Sequence, residues 1–151
     1  MSEFILEKNL KGITNEEAGR WLDPGGNSIN WILGHIVRTQ VEVLPLIGVQ
    51  SPYPLDDFSL YRGDPIGADG EELSLEELKD RYARLRTLLD EGIAALTSED
   101  LGAPAPVSPT GNPDETVGTF LATIAYHEGY HTGQIGSIRR ALGRPGVLKV
   151  E

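Results

Sequence analysis

The sequence predicts an all-α fold, a four-helix bundle, from three observations. Three long segments place apolar residues at intervals of three and four, which is the spacing of one helix face. No segment alternates apolar and polar residues in the manner of a half-buried strand. A chain of 151 residues with 39% hydrophobic residues can bury one core, so we expect a single domain over residues 1–151.

The N-terminal part predicts one short helix and one further turn. Residues 4–13 form an amphipathic pattern, and Thr14 and Glu17 stand at the spacing of a capping box. The proline and glycines within residues 23–26 are expected to break the chain before the second helix.

The second helix is expected to start at Asn27 or Ser28, either of which can act as the N-cap, and to continue to about residue 47. Pro45 should bend its last turn, and Gly48 should end it. The positions that recur at helical spacing are Ile29, Ile32, Leu33, Ile36, Gln40, Val43, Leu44 and Ile47.

The third and last helices each follow a connection rich in proline and glycine. These connections, residues 49–73 and 97–115, are predicted as loops long enough to cross the bundle. Ser74 and Glu77 form a capping box before the third helix, and the last helix should cover residues 116–142. The periodic positions are Leu75, Leu78, Tyr82, Leu85, Leu89, Ile93 and Leu96 in the third helix, and Val117, Phe120, Ile124, His127, His131, Gln134, Ile138 and Ala141 in the last.

The last helix carries a pair of histidines, His127 and His131, at a separation of four residues. On a helix this spacing points both imidazoles in the same direction, so that they can share one metal ion. Glu128 points about 100° away from His127 and is not expected to be a ligand. This separates the pattern from the His-Glu-x-x-His motif of zinc proteases, in which the glutamate is the general base.

The remaining histidine of the chain, His35, lies beside the apolar face of the second helix. If its ring projects into the same interior as His127 and His131, three imidazoles meet, which is the ligand number of many catalytic zinc sites. Buried histidines that are only hydrogen-bonded within the core are the alternative. The sequence therefore predicts a metal site of His35, His127 and His131.

Other polar and aromatic residues lie one helical turn from these histidines. Gln134 can orient a ligand imidazole or a bound water, or it can form a hydrogen bond between helices. Trp31, Tyr126 and Tyr130 can wall a pocket above the metal or can be core residues. Arg38 can bind an anionic group of a substrate or form a surface salt bridge.

Composition excludes several classes of function. The net charge of −10 repels nucleic acid, and the chain has no cysteine, so any thiol in its chemistry must come from outside. The apolar runs are shorter than the roughly 20 residues that cross a membrane, and the N-terminus lacks the features of a signal peptide. We therefore expect a soluble, cytoplasmic protein.

Three stretches of the sequence, residues 27–36, 126–135 and 139–143, together resemble the DinB-like superfamily of metalloenzymes. The resemblance implies a bundle of up-down-down-up order and a divalent metal, zinc or nickel, bound at the positions of His35, His127 and His131. Relatives in that superfamily include S-transferases and isomerases that use glutathione, mycothiol or bacillithiol, and several are homodimers.

The function that follows is a metal-dependent transferase that activates a low-molecular-weight thiol for attack on an electrophile. Two alternatives remain. A metal that activates water gives a hydrolase, and a metal that only joins helices gives a non-catalytic protein with a stress-related binding role.

Overall fold

The computed structural model describes residues 2–22, 26–63 and 72–147 and shows the all-α class that the sequence predicts. Within those ranges the only extended pairing is one isolated antiparallel bridge, between Pro104 and Thr116. Two short 3-10 helices cover Leu44–Ile47 and Leu55–Tyr61. The α-helices are α1 Ser2–Leu10, α2 Asn15–Ala18, α3 Ile29–Val43, α4 Leu75–Ala95, α5 Ser98–Gly102 and α6 Val117–Ala141.

The predicted capping residues begin these helices. Thr14 and Glu17 form the reciprocal capping box of α2, and Ser74 and Glu77 form that of α4. Of the two candidates for the start of α3, the hydroxyl of Ser28 accepts the hydrogen bond from the Trp31 amide. Each cap satisfies a backbone amide that has no partner within its own helix.

The second predicted helix ends in a different conformation from the one expected. The α-helix stops at Val43, and the chain continues as a 3-10 helix with Pro45 near its start. Proline has no amide hydrogen for the helical ladder, which explains the change. Gly48 then ends the segment with a φ of 78°, a conformation that favours glycine.

The two predicted loops are partly helical, which the sequence pattern did not reveal. The first contains the 3-10 helix Leu55–Tyr61, whose Phe58 and Tyr61 are fully buried against α3. The second contains α5, with a capping box formed by Thr97 and Asp100. Residues 64–71 of the first loop and residues 23–25 of the predicted chain break lie outside the described residues.

Helix α3 is central to the fold, because it packs against both α4 and α6, while α1 packs against the other side of α6. At the end of α4 the buried position is Gly92 rather than the predicted Ile93, which is 37% exposed. A Cβ atom on Gly92 would lie 2.6 Å from the Val49 side chain, so the close approach requires glycine. No helix among the described residues has the length and apolar character needed to span a membrane.

Helix α6 uses two faces, because it lies between α1 and α3. Toward α1, Asn9 donates to the Thr132 carbonyl, and the Arg139 guanidinium donates to the carbonyls of Asn9 and Lys11. The second half of the predicted apolar stripe is therefore shifted by one residue. The buried residues of α6 are Phe120, Glu128, His131, Thr132, Ile135, Gly136 and Arg139, whereas His127, Gln134 and Ile138 are half-buried and face α3.

A candidate metal centre

Three imidazoles converge between α3 and α6. The Nε2 atom of His127 lies 3.1 Å from Nε2 of His35 and 3.1 Å from Nε2 of His131. One ligand atom from each ring can be chosen so that all three lie within 4.8 Å of one another. The structure thus brings together the three histidines that the sequence analysis selected.

The His35 ring is held by two neighbours. Its Nδ1–H donates to the main-chain carbonyl of Tyr61 at 3.0 Å, and its face stacks on Trp31 with ring centroids 5.1 Å apart and planes 8° from parallel. The indole Nε1–H of Trp31 donates in turn to the Leu60 carbonyl at 3.2 Å. Because a carbonyl can only accept, it places the imidazole proton on Nδ1 and leaves the Nε2 lone pair directed at the other histidines.

Gly34 allows the 3-10 helix to approach His35 closely. A Cβ atom at this position would lie 2.2 Å from Cδ1 of the Tyr61 ring, much closer than atoms can pack. The Tyr61 ring occupies that space, and its own hydroxyl accepts a hydrogen bond from the Leu73 amide and donates one to Asn30. The missing side chain therefore allows the Tyr61 carbonyl to reach Nδ1 of His35.

The His131 ring is oriented by Gln134, one turn further along α6. Its Nδ1–H donates to the Gln134 amide oxygen at 2.7 Å, and the Gln134 amide nitrogen donates to the Tyr130 hydroxyl at 3.3 Å. Nε2 of His131 consequently also carries a lone pair toward the cluster. Support of this kind, from outside the ligands themselves, is usual for histidines that bind metals.

Burial favours the neutral form of the two histidines on α6. Desolvation, followed by the nearby charges of His131 and His35, lowers the pKa of His127 from 6.5 to about 4. Desolvation also lowers the pKa of His131, although the hydrogen bond with Gln134 opposes the change. Neutral imidazole is the form that binds a metal ion, so neither His127 nor His131 has to lose a proton near pH 7.

The donor set fits a divalent cation. Both His35 and His131 direct an Nε2 lone pair at Nε2 of His127. If that nitrogen carries a proton, it can donate fully to only one of the two lone pairs. A cation accepts all three lone pairs. Tetrahedral coordination at about 2.0–2.1 Å would place the nitrogens roughly 3.3 Å apart, close to the two separations of 3.1 Å. The three ligand atoms together span up to 4.8 Å, so an ion held there would draw the rings closer together.

The other predicted neighbours are distributed unevenly. Trp31 and Gln134 contact the histidines directly, and the exposed Tyr130 ring lies edge-on to His131 with centroids 5.1 Å apart. Tyr126, in contrast, is 77% exposed and is neither a core residue nor the wall of a closed pocket. Arg38 is buried, and its guanidinium donates to Glu42 at 2.6 Å.

Two features of the site were not anticipated from the sequence. The Tyr61 carbonyl accepts a hydrogen bond from His35. Because every residue has a main-chain carbonyl, the sequence does not indicate which one is the acceptor. Glu128 is buried on another face of α6, where it accepts from the Tyr82 hydroxyl at 3.2 Å and pairs with Arg86 at 3.5 Å. The helical period, which places Glu128 about 100° from His127, is the only signal that separates this carboxylate from the ligands.

Comparison with known proteins assigns the chain to a family. A crystal structure of a DinB-like protein from Bacillus cereus ATCC 10987 has the same fold, with a TM-score of 0.67 and 23% identity over 97% of this chain and 92% of that chain. No curated protein matches the sequence. The family model of the DinB superfamily matches residues 5–135, a range that includes all three histidines and Gln134. Since the match covers most of its length, the chain belongs to the DinB superfamily.

Proposed function

We propose that the chain binds one divalent metal ion, zinc or nickel, through His35, His127 and His131 and is a transferase that uses an exogenous thiol. The convergence of three imidazoles is the observation that supports this proposal. Three protein ligands leave a coordination position for a substrate in a four-coordinate site. The absence of cysteine from the chain means that the thiol must be a separate molecule.

A divalent cation held there supplies a positive charge that lowers the pKa of a thiol beside it, so that thiolate is available near pH 7. The chain contributes orientation. Tyr61 and Gln134 fix the imidazole tautomers, and the Trp31 ring covers one face of His35. In the reaction the thiolate sulfur forms a bond to the electrophilic carbon, and the leaving group departs with the electron pair of the bond that breaks.

A structural metal is the main competing function, because the ligands come from α3 and α6 and an ion would join these two helices. The hydrolase alternative uses the same site with water in place of the thiol. Among the described residues, the potential ligands that converge are the three imidazoles, without a carboxylate. We favour activation of a thiol, because a thiol-dependent transferase is what the resemblance to the DinB-like superfamily implies. The screen with esters separates this reaction from hydrolysis.

The test begins with the metal content of protein purified without an affinity tag. Activity is then screened with cellular thiols and simple electrophiles, and with simple esters for the hydrolase. We expect His131→Ala to lose most of its metal affinity and all turnover while its helicity stays near that of the wild type, because the apolar core remains. Tyr126→Ala, an exposed change on the same helix, should behave as the wild type does.

Two results would contradict the catalytic proposal. A wild-type protein that binds the metal, unfolds when the metal is chelated, and turns over neither thiol substrates nor esters would indicate a structural metal. A protein that binds no divalent metal at all would refute both functions.

A further inference from the structure

Two clefts flank the candidate metal centre along the line where α3 and α6 meet. One, here called the aliphatic cleft, has a volume of about 370 Å³ and includes Glu42 among its lining residues. The other, here called the amide cleft, has a volume of about 460 Å³ and is lined partly by Asn27, Gln134 and Ser137. The aliphatic cleft is lined mainly by Val43, Leu46, Val107, Pro109, Phe120 and Ile124.

The aliphatic cleft begins one helical turn from the histidines on both helices. On α3 its nearest lining residue is Thr39, whose hydroxyl donates to the His35 carbonyl. On α6 its nearest lining residue is Ile124, which precedes His127 by three residues. One turn of helix is about 5.4 Å. The histidines and the lining of this cleft are therefore about one helical turn apart on each helix.

The charges around the aliphatic cleft select against ions. Its single charged lining residue is Glu42, which already pairs with the buried Arg38 at 2.6 Å. A carboxylate or phosphate group would meet Glu42 without a lining cation to offset the repulsion. An uncharged hydrocarbon group loses nothing by leaving water and gains by contact with the apolar wall.

The outer wall of this cleft is held in place by a hydrogen-bond network. Glu115, which is buried, accepts from Ser108 at 2.5 Å and from Thr110 at 3.1 Å. The Glu115 carbonyl also accepts from the Ala105 amide at 2.8 Å. Val107 lies between these anchored positions, so the wall is formed before any ligand arrives, as is usual for small-molecule sites.

We propose that the aliphatic cleft binds the uncharged hydrocarbon part of the electrophilic substrate. This inference rests on the proposed function, because the cleft acquires its role from the reactive centre beside it. The amide cleft on the other side combines the apolar Leu22, Ile32 and Ile138 with amide and hydroxyl groups, so it is the more polar of the two clefts. The aliphatic cleft therefore determines which electrophiles are accepted, and its preference is for longer apolar groups without charge.

The test uses n-alkyl hydroxamates, from acetohydroxamate to octanohydroxamate, as probes whose head group chelates zinc. Metal content is measured first, and calorimetry then gives the affinity of each probe for the zinc-loaded protein. We expect the affinity to rise about two- to fourfold for each added methylene, since complete burial of a methylene is worth about 0.8 kcal/mol. Val107→Asp should abolish this rise, and Leu22→Asp, in the amide cleft, should preserve it.

Both substituted side chains are partly exposed, 49% for Val107 and 40% for Leu22, so neither change should unfold the protein, which circular dichroism checks. If the protein binds zinc and acetohydroxamate but its affinity does not depend on the length of the alkyl chain, the inference is refuted and the proposed metal site is not. A chain-length effect abolished by Leu22→Asp and kept by Val107→Asp would assign the hydrocarbon to the amide cleft. Failure to bind either zinc or nickel, or to bind acetohydroxamate once the metal is loaded, would refute the proposed function and this inference with it.

Discussion

Replacing Gly34 by alanine tests whether the close contact between α3 and Tyr61 orients His35. The new Cβ would lie 2.2 Å from Cδ1 of Tyr61, whereas ordinary contacts begin at 3.4 Å, so the ring must withdraw by about 1.2 Å. The ring cannot withdraw freely, because its hydroxyl is bonded to the Leu73 amide at 2.8 Å and to Asn30 at 3.3 Å. The Tyr61 carbonyl, which holds Nδ1 of His35, should move with it.

The stability change follows from three terms. Overpacking of a core costs about 1–3 kcal/mol, and a weakened hydrogen bond costs roughly 0.5–1.5 kcal/mol. Alanine in a helix interior is favoured over glycine by about 1 kcal/mol, which offsets part of this loss. We expect Gly34→Ala to lower the free energy of unfolding by about 0.5–3.5 kcal/mol in urea denaturation of the metal-free protein. Zinc affinity, measured against a competing chelator, should fall by about 10–100-fold, the usual effect of losing a group that orients a ligand.

Gly129→Ala is the matched control. Gly129 is in a helix and lies between two of the histidines in sequence, but a Cβ atom there would meet nothing within 4 Å apart from its chain neighbours and the backbone of its own helix. This variant should be more stable than the wild type by up to about 1 kcal/mol and should bind zinc equally well. A Gly34→Ala protein as stable as Gly129→Ala, with unchanged zinc affinity, would show that the Tyr61 contact does not control His35.

Further changes test the rest of the site and its surroundings. Gln134→Leu removes the acceptor for Nδ1–H of His131 and should lower zinc affinity about 10–100-fold with little loss of helicity. Competition with a chelator measures the affinity, and an unchanged value would refute the orienting role of Gln134. Tyr82→Phe deletes the hydroxyl that donates to Glu128 and should lower the free energy of unfolding in urea by about 1–3 kcal/mol. Tyr126→Phe, at an exposed ring, should leave that free energy unchanged. Equal effects of the two substitutions would contradict this prediction. Because His127 has a folded-state pKa of about 4, below the ordinary 6.5, its contribution to the stability of the metal-free protein should be complete above pH 6.5 and decline as the pH falls to about 4. Titration of the His127 ring by NMR measures this, and a midpoint near 6.5 would disprove it.

The parts of the fold that were predicted correctly depend on neighbours in the sequence. The capping boxes of Thr14 and Ser74 and the stop at Gly48 are set by contacts within a few residues, so the sequence displays them directly. The convergence of His35 with the histidines of α6 could be expected as well, since His127 and His131 lie in the apolar stripe of α6 and His35 lies beside that of α3. Membership of the DinB superfamily, inferred from the spacing of these motifs, is confirmed.

The parts that the sequence did not predict depend on distant packing. The Leu55–Tyr61 segment has no helical period of its own and is ordered by burial of Phe58 and Tyr61 against α3. The burial of Glu128 depends on Tyr82 and Arg86 of α4, which are more than forty residues away in sequence. Helix α6 also has two partners rather than one, so a single apolar stripe could not describe its buried surface. The up-down-down-up order stays a prediction.

The separation of the ligands along the chain has a consequence for biosynthesis. His35 and His127 are 92 residues apart, and their rings meet only when α6 packs against α3. Translation proceeds at about 5–20 residues per second, so a nascent chain exposes His35 for several seconds before its partners are synthesised. The three-ligand centre cannot assemble in that interval, and any ion must be acquired after α6 has left the ribosome and docked. A metal bound at this site would therefore have to reach a chain that has already folded through α6.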